Sequence, residues 1–239
     1  MKSQDIVVLL KLLSLELAGQ RRQNRPQGSV AEPFDWAGWE VSVHDETELN
    51  PALPGSNAQL SQIVTNAERQ LQLEPSPHMA DEPNERYSVR GLAASLGISK
   101  SEIAASLRRS MDVGLVRKER QSGLLRANGR ALLGLLEHGI KYVFPARPGA
   151  LGRGIPTAFA APVLADELRS AGDSIYVWPY ARGSRMGQTI APLFTSVPVA
   201  VQSDPDLYAM LALVDAIRLG NPRERSLAIE RLTPRLGAQ

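Results

Sequence analysis

Residues 87–116 have the sequence YSVRGLAASLGISKSEIAASLRRSMDVGLV, which predicts two short helices joined by a tight turn. Leu92 and Leu96 lie four residues apart and share one helix face, and Gly97 follows where a left-handed residue ends a helix. Ser99 then offers its hydroxyl as the N-cap of the second helix. The order of helix, glycine turn and capped helix decides how this part of the chain folds.

One face of the second helix is predicted to be buried. Ile103, Leu107 and Met111 recur at four-residue steps, and Glu102 stands three residues after Ser99, which is the spacing of a capping box. The opposite face is left free to meet a partner. The residues of that face, with the cap, are Ser99, Lys100, Ser101, Ala105, Arg108 and Arg109.

The segment after this helix predicts a small hairpin. Gly114 ends the helix, Leu115 and Val116 begin an extended piece, and the polar residues 121–123 suit a turn. The basic residues before that turn are Arg117, Lys118 and Arg120.

The stretch LAASLGISKSEIAASLRRSMDVGLV resembles the bacterial winged helix-turn-helix transcription regulators, broadly of the MarR type, over roughly a quarter of the chain. The resemblance implies that the second helix enters the major groove of DNA and that the hairpin is a wing that contacts phosphates. Ala104 and Ala105 stand where these regulators often carry polar or basic base readers. Base reading is therefore expected to be sparse, with phosphate contacts and DNA shape supplying more of the binding.

Positive charge is concentrated around this motif. Residues 87–131 hold nine basic and three acidic side chains, a net charge of +6, whereas the whole chain has a net charge of +2. A local excess of this kind indicates a polyanionic partner. Two alternatives stay open, because the same motif also serves protein–protein docking and a charge cluster is often only a solvated surface.

Composition sets the broad class of the protein. A chain of 239 residues with 43% hydrophobic residues can form one large or two small domains, and we expect two. The absence of cysteine excludes disulfides and thiolate sites and permits a cytosolic location. No apolar run is long enough for a transmembrane helix, so we expect no membrane partner. Asp5, Lys11 and Glu16 interrupt the apolar N-terminus, which argues against a signal peptide.

Residues 4–17 predict a helix that is apolar on more than one side and therefore widely buried. It is expected to be the first helix of the winged domain or part of a dimer seam. Residues 18–87 separate it from the next predicted helix, so an insertion at about residues 20–86 interrupts the domain.

The insertion is acidic. Residues 30–86 contain eleven Asp or Glu and two Arg, a net charge of −9, with a strand predicted at 39–43 and a helix at 60–71. Three interpretations remain open: a solvated surface region, an intramolecular mask of the DNA face, and a docking site for a basic partner protein.

The C-terminal part predicts a mixed α/β unit. Asn128 caps a helix that Gly139 ends, residues 140–144 and 176–178 predict strands, and residues 147–157 predict a glycine-rich loop. That loop is either a flexible connection or an anion-binding loop that uses Arg147 and Arg153.

Two capped helices end the chain, with Asp204 and Pro205 beginning the first and Asn221 and Pro222 the second. Their apolar stripes indicate either core packing or a homodimer interface, and we expect a homodimer.

Chemistry typical of an enzyme is not recognisable in the sequence. His44, His78 and His138 are the only histidines, and His44 with Asp45 and Glu46 suits a polar turn better than a metal site. No nucleophile elbow, zinc-protease motif or kinase signature occurs. We therefore predict no catalytic residues, no metal and no cofactor.

We predict an α+β protein with an interrupted winged helix-turn-helix domain over residues 1–139 and a small mixed α/β domain over residues 140–239. The predicted function is sequence-specific binding of double-stranded DNA by a cytoplasmic, dimeric transcription regulator acting as a repressor. The C-terminal domain would sense a small ligand or bind a protein partner. The alternative is an antitoxin-like or other protein-interaction module that neutralises a partner protein and regulates its own gene through the helix-turn-helix.

Overall fold

The computed structural model describes residues 1–24, 84–165, 167 and 175–238. The described part is a mixed α+β structure, as the sequence predicts at this level. The strand predicted at 39–43 and the helix predicted at 60–71, and with them most of the acidic insertion, lie outside the described residues.

The described part of the chain contains nine α-helices and five strands, with short 3-10 turns at Glu85–Tyr87, Ala158–Ala160 and Val201–Ser203. In chain order the elements are α1 Ser3–Gln23, α2 Val89–Leu96, α3 Lys100–Asp112, β1 Val116–Lys118, β2 Leu125–Ala127, α4 Gly129–His138, α5 Ile140–Val143, β3 Leu151–Thr157, α6 Pro162–Ala165, β4 Tyr176–Pro179, β5 Arg185–Thr189, α7 Val197–Ala200, α8 Pro205–Leu219 and α9 Pro222–Arg235.

Helix α1 is buried on all sides over its first half, which confirms the wide burial predicted from its apolar pattern. Every residue from Gln4 to Ser14 is buried, and the helix packs against α3, α8 and β2. Two polar side chains in this stretch have buried partners across the interface with α8. Lys11 Nζ lies 2.8 Å from Asp204 Oδ2, and Ser14 Oγ donates to Asp204 Oδ1 at 2.6 Å.

Helix α8 is the centre of the C-terminal half. Asp204 caps it by accepting from the Leu207 amide at 3.0 Å, and Pro205 begins it, both as the sequence predicts. Its residues from Met210 to Arg218 are all buried, so its apolar stripe is covered within the chain. One buried cluster runs from α1 through α2 and α3 to α8 and α9. The predicted boundary between residues 139 and 140 stays a prediction, and this cluster includes residues on both sides of it.

Strands β3, β4 and β5 each pair with the other two. Here the prediction of a glycine-rich loop at 147–157 is wrong, because β3 occupies its second half. The glycines of this strand let neighbouring backbones approach closely and do not form a loop. A Cβ at Gly154 would lie 2.0 Å from the Trp178 carbonyl oxygen. The predicted strand at 176–178 is confirmed as β4.

The strand predicted at 140–144 is also wrong, because residues Ile140–Val143 form the short helix α5. Only Ile140 of this segment is buried, whereas Tyr142 and Val143 are 77% and 55% exposed. An apolar run without a neighbouring strand gains nothing from an extended conformation. The Arg218 side chain then donates from Nε to the Phe144 carbonyl at 2.8 Å.

The remaining caps follow the sequence. Asn128 accepts from the Ala131 amide at 3.2 Å, and Asn221 forms a capping box with Glu224. In α9, Ala228 and Leu232 are buried whereas Leu227 and Ile229 are half-buried. The homodimer interface stays a prediction.

In the described ranges, no helix is long and apolar enough to cross a membrane.

Candidate nucleic-acid interface

The turn between α2 and α3 has the geometry that the sequence predicts. Ser88 caps α2 by accepting from the Gly91 amide at 3.0 Å, and Gly97 ends the helix with φ +62°. Ile98 is buried, and the Ser99 hydroxyl accepts from the Glu102 amide at 3.3 Å to begin α3. Helix α3 is thereby held against α2 and α1 with its N-terminus at the surface.

Helix α3 buries Ile103, Ser106, Leu107 and Ser110 and exposes the opposite face. Met111 departs from the prediction, because it is 43% exposed and lies at the free end of the helix. The predicted face residues Ser99, Lys100, Ser101 and Arg108 are exposed, as is Ala104, and Ala105 is half-buried. Short side chains at 104 and 105 leave a shallow surface between Lys100 and Arg108.

Arg109 differs from the other residues of the predicted DNA face because it has a carboxylate partner, and its contact with DNA stays a prediction. Its Nη2 lies 2.6 Å from Asp5 Oδ1 and its Nε donates to Asp5 Oδ2 at 3.0 Å, which is a bidentate pair with a carboxylate that is 0% exposed. The sequence places Arg109 beside Arg108 on the helix, but its side chain turns inward because Asp5 of α1 lies beneath it. Arg109 therefore joins α3 to α1.

Glu102 also differs from the prediction. Instead of completing a capping box with Ser99, its carboxylate accepts from the Gln4 side-chain amide and lies 3.4 Å from Lys2 Nζ. These contacts add a second connection between the N-terminal ends of α1 and α3.

Strands β1 and β2 form an antiparallel hairpin directly after α3, with Arg117 opposite Arg126. Gly123 takes φ +70° in the connecting turn, and Ser122 donates to the Glu119 carboxylate. The three predicted hairpin cations, Arg117, Lys118 and Arg120, are all exposed.

Arg126 on β2 fixes the hairpin to the rest of the protein, a role that the sequence analysis did not identify. Its guanidinium lies 3.6 Å from Glu16 of α1, 3.4 Å from Glu119 and 5.6 Å from the centre of the Tyr87 ring. Burial raises the pKa of Glu16, and the positive charge of Arg126 opposes that rise. Glu119 lies only seven positions before Arg126, but Glu16 belongs to α1, so no local sequence signal marks the contact between the hairpin and α1.

The cations at this surface fall into two groups. Arg109 and Arg126 have carboxylate partners and belong to the scaffold. Among the residues that the structure describes, five others on α3 and the hairpin make no ion pair: Lys100, Arg108, Arg117, Lys118 and Arg120. Arg90 on α2 and Arg130 on α4 are also exposed and form no ion pair with the described residues. They could not be identified from the sequence, because no motif marks them.

The other predicted site residues lie apart from this surface. Arg147 is exposed before β3, and Arg153 on β3 donates to the Gly183 carbonyl at 3.4 Å. Arg153 thus belongs to a strand, and the anion site stays a prediction. His138 is exposed at the end of α4. No group of three or more potential metal ligands occurs within the described ranges.

Stability should depend on pH through Asp5. Burial alone would raise the pKa of Asp5, but hydrogen bonds from Arg109 and from the Lys2 backbone amide outweigh it, so the pKa lies below its usual value. A lowered pKa contributes stability that is complete above the unfolded value of about 4 and is lost as pH falls through the folded value. Urea unfolding between about pH 5 and pH 3 should therefore show a decline that is shallower in Asp5→Asn. Equal slopes for both proteins would contradict the assignment.

Comparison of the chain with family models, with curated proteins and with solved structures gave no match.

Proposed function

We propose that the protein binds double-stranded DNA through α3 and the β1–β2 hairpin, as a winged helix-turn-helix regulator. The observation that carries the proposal is the set of five exposed cations without ion pairs, on two adjoining elements: Lys100, Arg108, Arg117, Lys118 and Arg120. A hydrogen bond from Ser122 and, more weakly, the charge of nearby Arg117 lower the pKa of Glu119. None of the five cations is paired with a carboxylate of the described residues, however, and a cluster of unpaired cations favours phosphate as the partner.

The supporting scaffold fits such a role. Helix α3 is fixed to α1 at its N-terminal end by Glu102 and at its C-terminal end by Arg109, so its outer face is rigid. The hairpin is fixed independently through Arg126. A surface held in its binding conformation loses little entropy on association, which favours affinity.

The division of labour follows from the side chains. Lys100, Ser101 and Arg108 are the proposed groove contacts on α3, whereas Arg117, Lys118 and Arg120 are proposed to contact phosphates. Ala104 and Ala105 carry no hydrogen-bonding group, so base reading is limited to the two ends of the exposed face. Specificity is then proposed to depend on DNA shape and on the spacing of two half-sites bound by a dimer, about 34 Å apart.

Within this proposal the protein is a cytoplasmic transcription regulator that represses by occupying a palindromic operator. Two protomers per duplex in a titration would support the dimeric arrangement, and a single protomer per duplex at saturation would contradict it.

Replacing Arg117, Lys118 and Arg120 together with Ala should weaken binding to every duplex. The plot of log K against log salt concentration should become less steep, with the magnitude of its negative slope reduced by about 2 to 3. Each lost phosphate contact removes close to one released counterion, which is why the slope reports their number. Fluorescence anisotropy of a labelled duplex between about 50 and 200 mM salt measures it.

The matched control is Arg182→Ala with Arg185→Ala, which removes one exposed arginine from the turn after β4 and one from the start of β5. This variant should keep the wild-type slope. A triple hairpin variant with the wild-type slope, or a control variant with a reduced one, would place the DNA surface elsewhere.

A further inference from the structure

One face of the paired strands β3 and β5 carries two exposed apolar side chains. In their antiparallel register, Leu151 lies opposite Gln188 and Arg153 opposite Met186, so these four side chains share one side of the sheet. Leu151 is 68% exposed and Met186 is 59% exposed. We call these four residues the β3–β5 face.

The partner of such a face must recognise side chains rather than add a strand. Each of the three strands already pairs with the other two over part of its length, so only short stretches of strand edge are left unpaired. Recognition by strand addition needs an open sheet edge.

Three arginines lie on or next to this face, with Arg153 on the face and Arg185, one position before Met186, on the opposite side of β5. Arg153 lies on the face itself, with its guanidinium at the Gly183 carbonyl, and exposed Arg182 and Arg185 flank that glycine. Between residues 144 and 203, the described residues include four arginines and a single acid, Glu167, which forms an ion pair with Arg231. The described residues around the face therefore carry a net positive charge.

We propose that the β3–β5 face docks an acidic protein surface whose apolar side chains cover Leu151 and Met186. Methionine and arginine are enriched in protein interfaces, with the apolar residues central and the charges at the rim. The inference does not depend on DNA binding by α3 and the hairpin.

Charge and polarity distinguish this partner from two others. Duplex DNA would meet the arginines but would leave two large apolar side chains against phosphate and water. A second copy of the face would bring several arginines together without compensating acids, which costs free energy.

The face is formed in advance of any partner. Gly187 lets β5 approach closely, because a Cβ there would lie 2.4 Å from the Ile175 carbonyl oxygen. Strand β4 is fixed to α8 by Trp178, whose Nε1 donates to Asp215 at 2.6 Å. Little ordering is needed on binding, so the cost of association is reduced.

Methionine methyl NMR of the full chain tests the proposal, because Met186 and Met111 report on the two surfaces separately. Two synthetic peptides serve as probes: one contains Asp, Glu, Leu and Phe, and the other has Ser in place of every Leu and Phe at the same charge. The first peptide should shift the Met186 methyl signal and leave Met111 unchanged, and it should bind at least about tenfold more tightly than the second.

Variants separate the face from the DNA surface. Leu151→Ser should weaken binding of the peptide that contains Leu and Phe by about tenfold. Thermal unfolding of the variant checks that the chain is folded. The double variant Arg182→Ala with Arg185→Ala should also bind this peptide more weakly and should bind duplex DNA as the wild type does. The triple hairpin variant should bind the peptide as the wild type does.

Three results would overturn the proposal: equal affinity for the two peptides, a shift of Met111 instead of Met186, or a shift of Met186 on addition of duplex DNA. The last would show that the face binds nucleic acid. Each leaves the salt-dependence test of α3 and the hairpin unaffected, so the two proposals fail separately.

Discussion

Arg109→Ala should lower the free energy of unfolding by about 3 kcal/mol, although it lies on the surface helix proposed to bind DNA. The reason is its partner. Asp5 is fully buried and receives two hydrogen bonds from the Arg109 guanidinium, so removal of that group leaves a buried carboxylate without its counter-charge. Urea or guanidinium unfolding with linear extrapolation measures the loss.

The matched control for Arg109 is its neighbour Arg108, which is exposed and forms no ion pair with the described residues. Arg108→Ala should change stability by less than about 0.5 kcal/mol and should weaken DNA binding. Arg109→Lys should recover only part of the stability, because an ammonium cannot make the bidentate contact. If Arg109→Ala kept wild-type stability and lost DNA affinity, Arg109 would be a DNA contact and the ion pair would be of little importance.

The pair of adjacent arginines shows where sequence reasoning reaches its limit. Helical periodicity places both side chains away from the row of Ile103 and Leu107, and both therefore qualify as surface residues. Asp5, which decides between them, lies 104 positions earlier in the chain. In the sequence, Asp5 appears only as an interruption of an apolar run, because a buried charge cannot be recognised until its partner is known.

Local signals, in contrast, were sufficient for the first residues of five helices. The caps at Ser88, Ser99, Asn128, Asp204 and Asn221 all accept from the amide three residues later. A cap acts within a few residues of itself, so its chemistry is complete in a short stretch of sequence.

Elements that depend on distant neighbours were predicted less well. Strand β3 has three glycine or proline positions within seven residues, which is typical of a loop. It is nevertheless a strand, because β4 and β5 pair with it so closely that a Cβ would not fit at its glycines. The strand predicted at 140–144 has strand-like composition but no strand to pair with, and it became helix α5. In both cases the deciding residues belong to other parts of the chain.

The candidate site divides in the same way. The exposed cations of α3 and the hairpin could be predicted from the motif, because exposure needs no partner. The scaffold residues Arg126, Glu16 and Tyr87 could not, because their contacts join β2, α1 and the turn before α2.

Asp215→Ala should lower the free energy of unfolding by about 4 kcal/mol and the melting temperature by roughly 10 °C. The Asp215 carboxylate is buried and accepts from Trp178 Nε1 at 2.6 Å, Thr157 Oγ1 at 2.9 Å and Arg218 Nη1 at 2.5 Å. Burial raises the pKa of Asp215, and the Arg218 guanidinium opposes that rise. Truncation leaves the Arg218 charge buried alone and separates β3 and β4 from their shared acceptor on α8.

Two further variants identify the cause of that loss. Asp206→Ala, on the same helix, removes a carboxylate whose partner Arg21 is largely exposed, and it should cost at most about 1 kcal/mol. Adding Arg218→Met to Asp215→Ala should restore part of the lost stability, because it removes the uncompensated charge while keeping an unbranched apolar side chain. A double variant less stable than Asp215→Ala alone would mean that Arg218 acts mainly through its hydrogen bond to the Phe144 carbonyl, and that the ion pair with Asp215 is secondary.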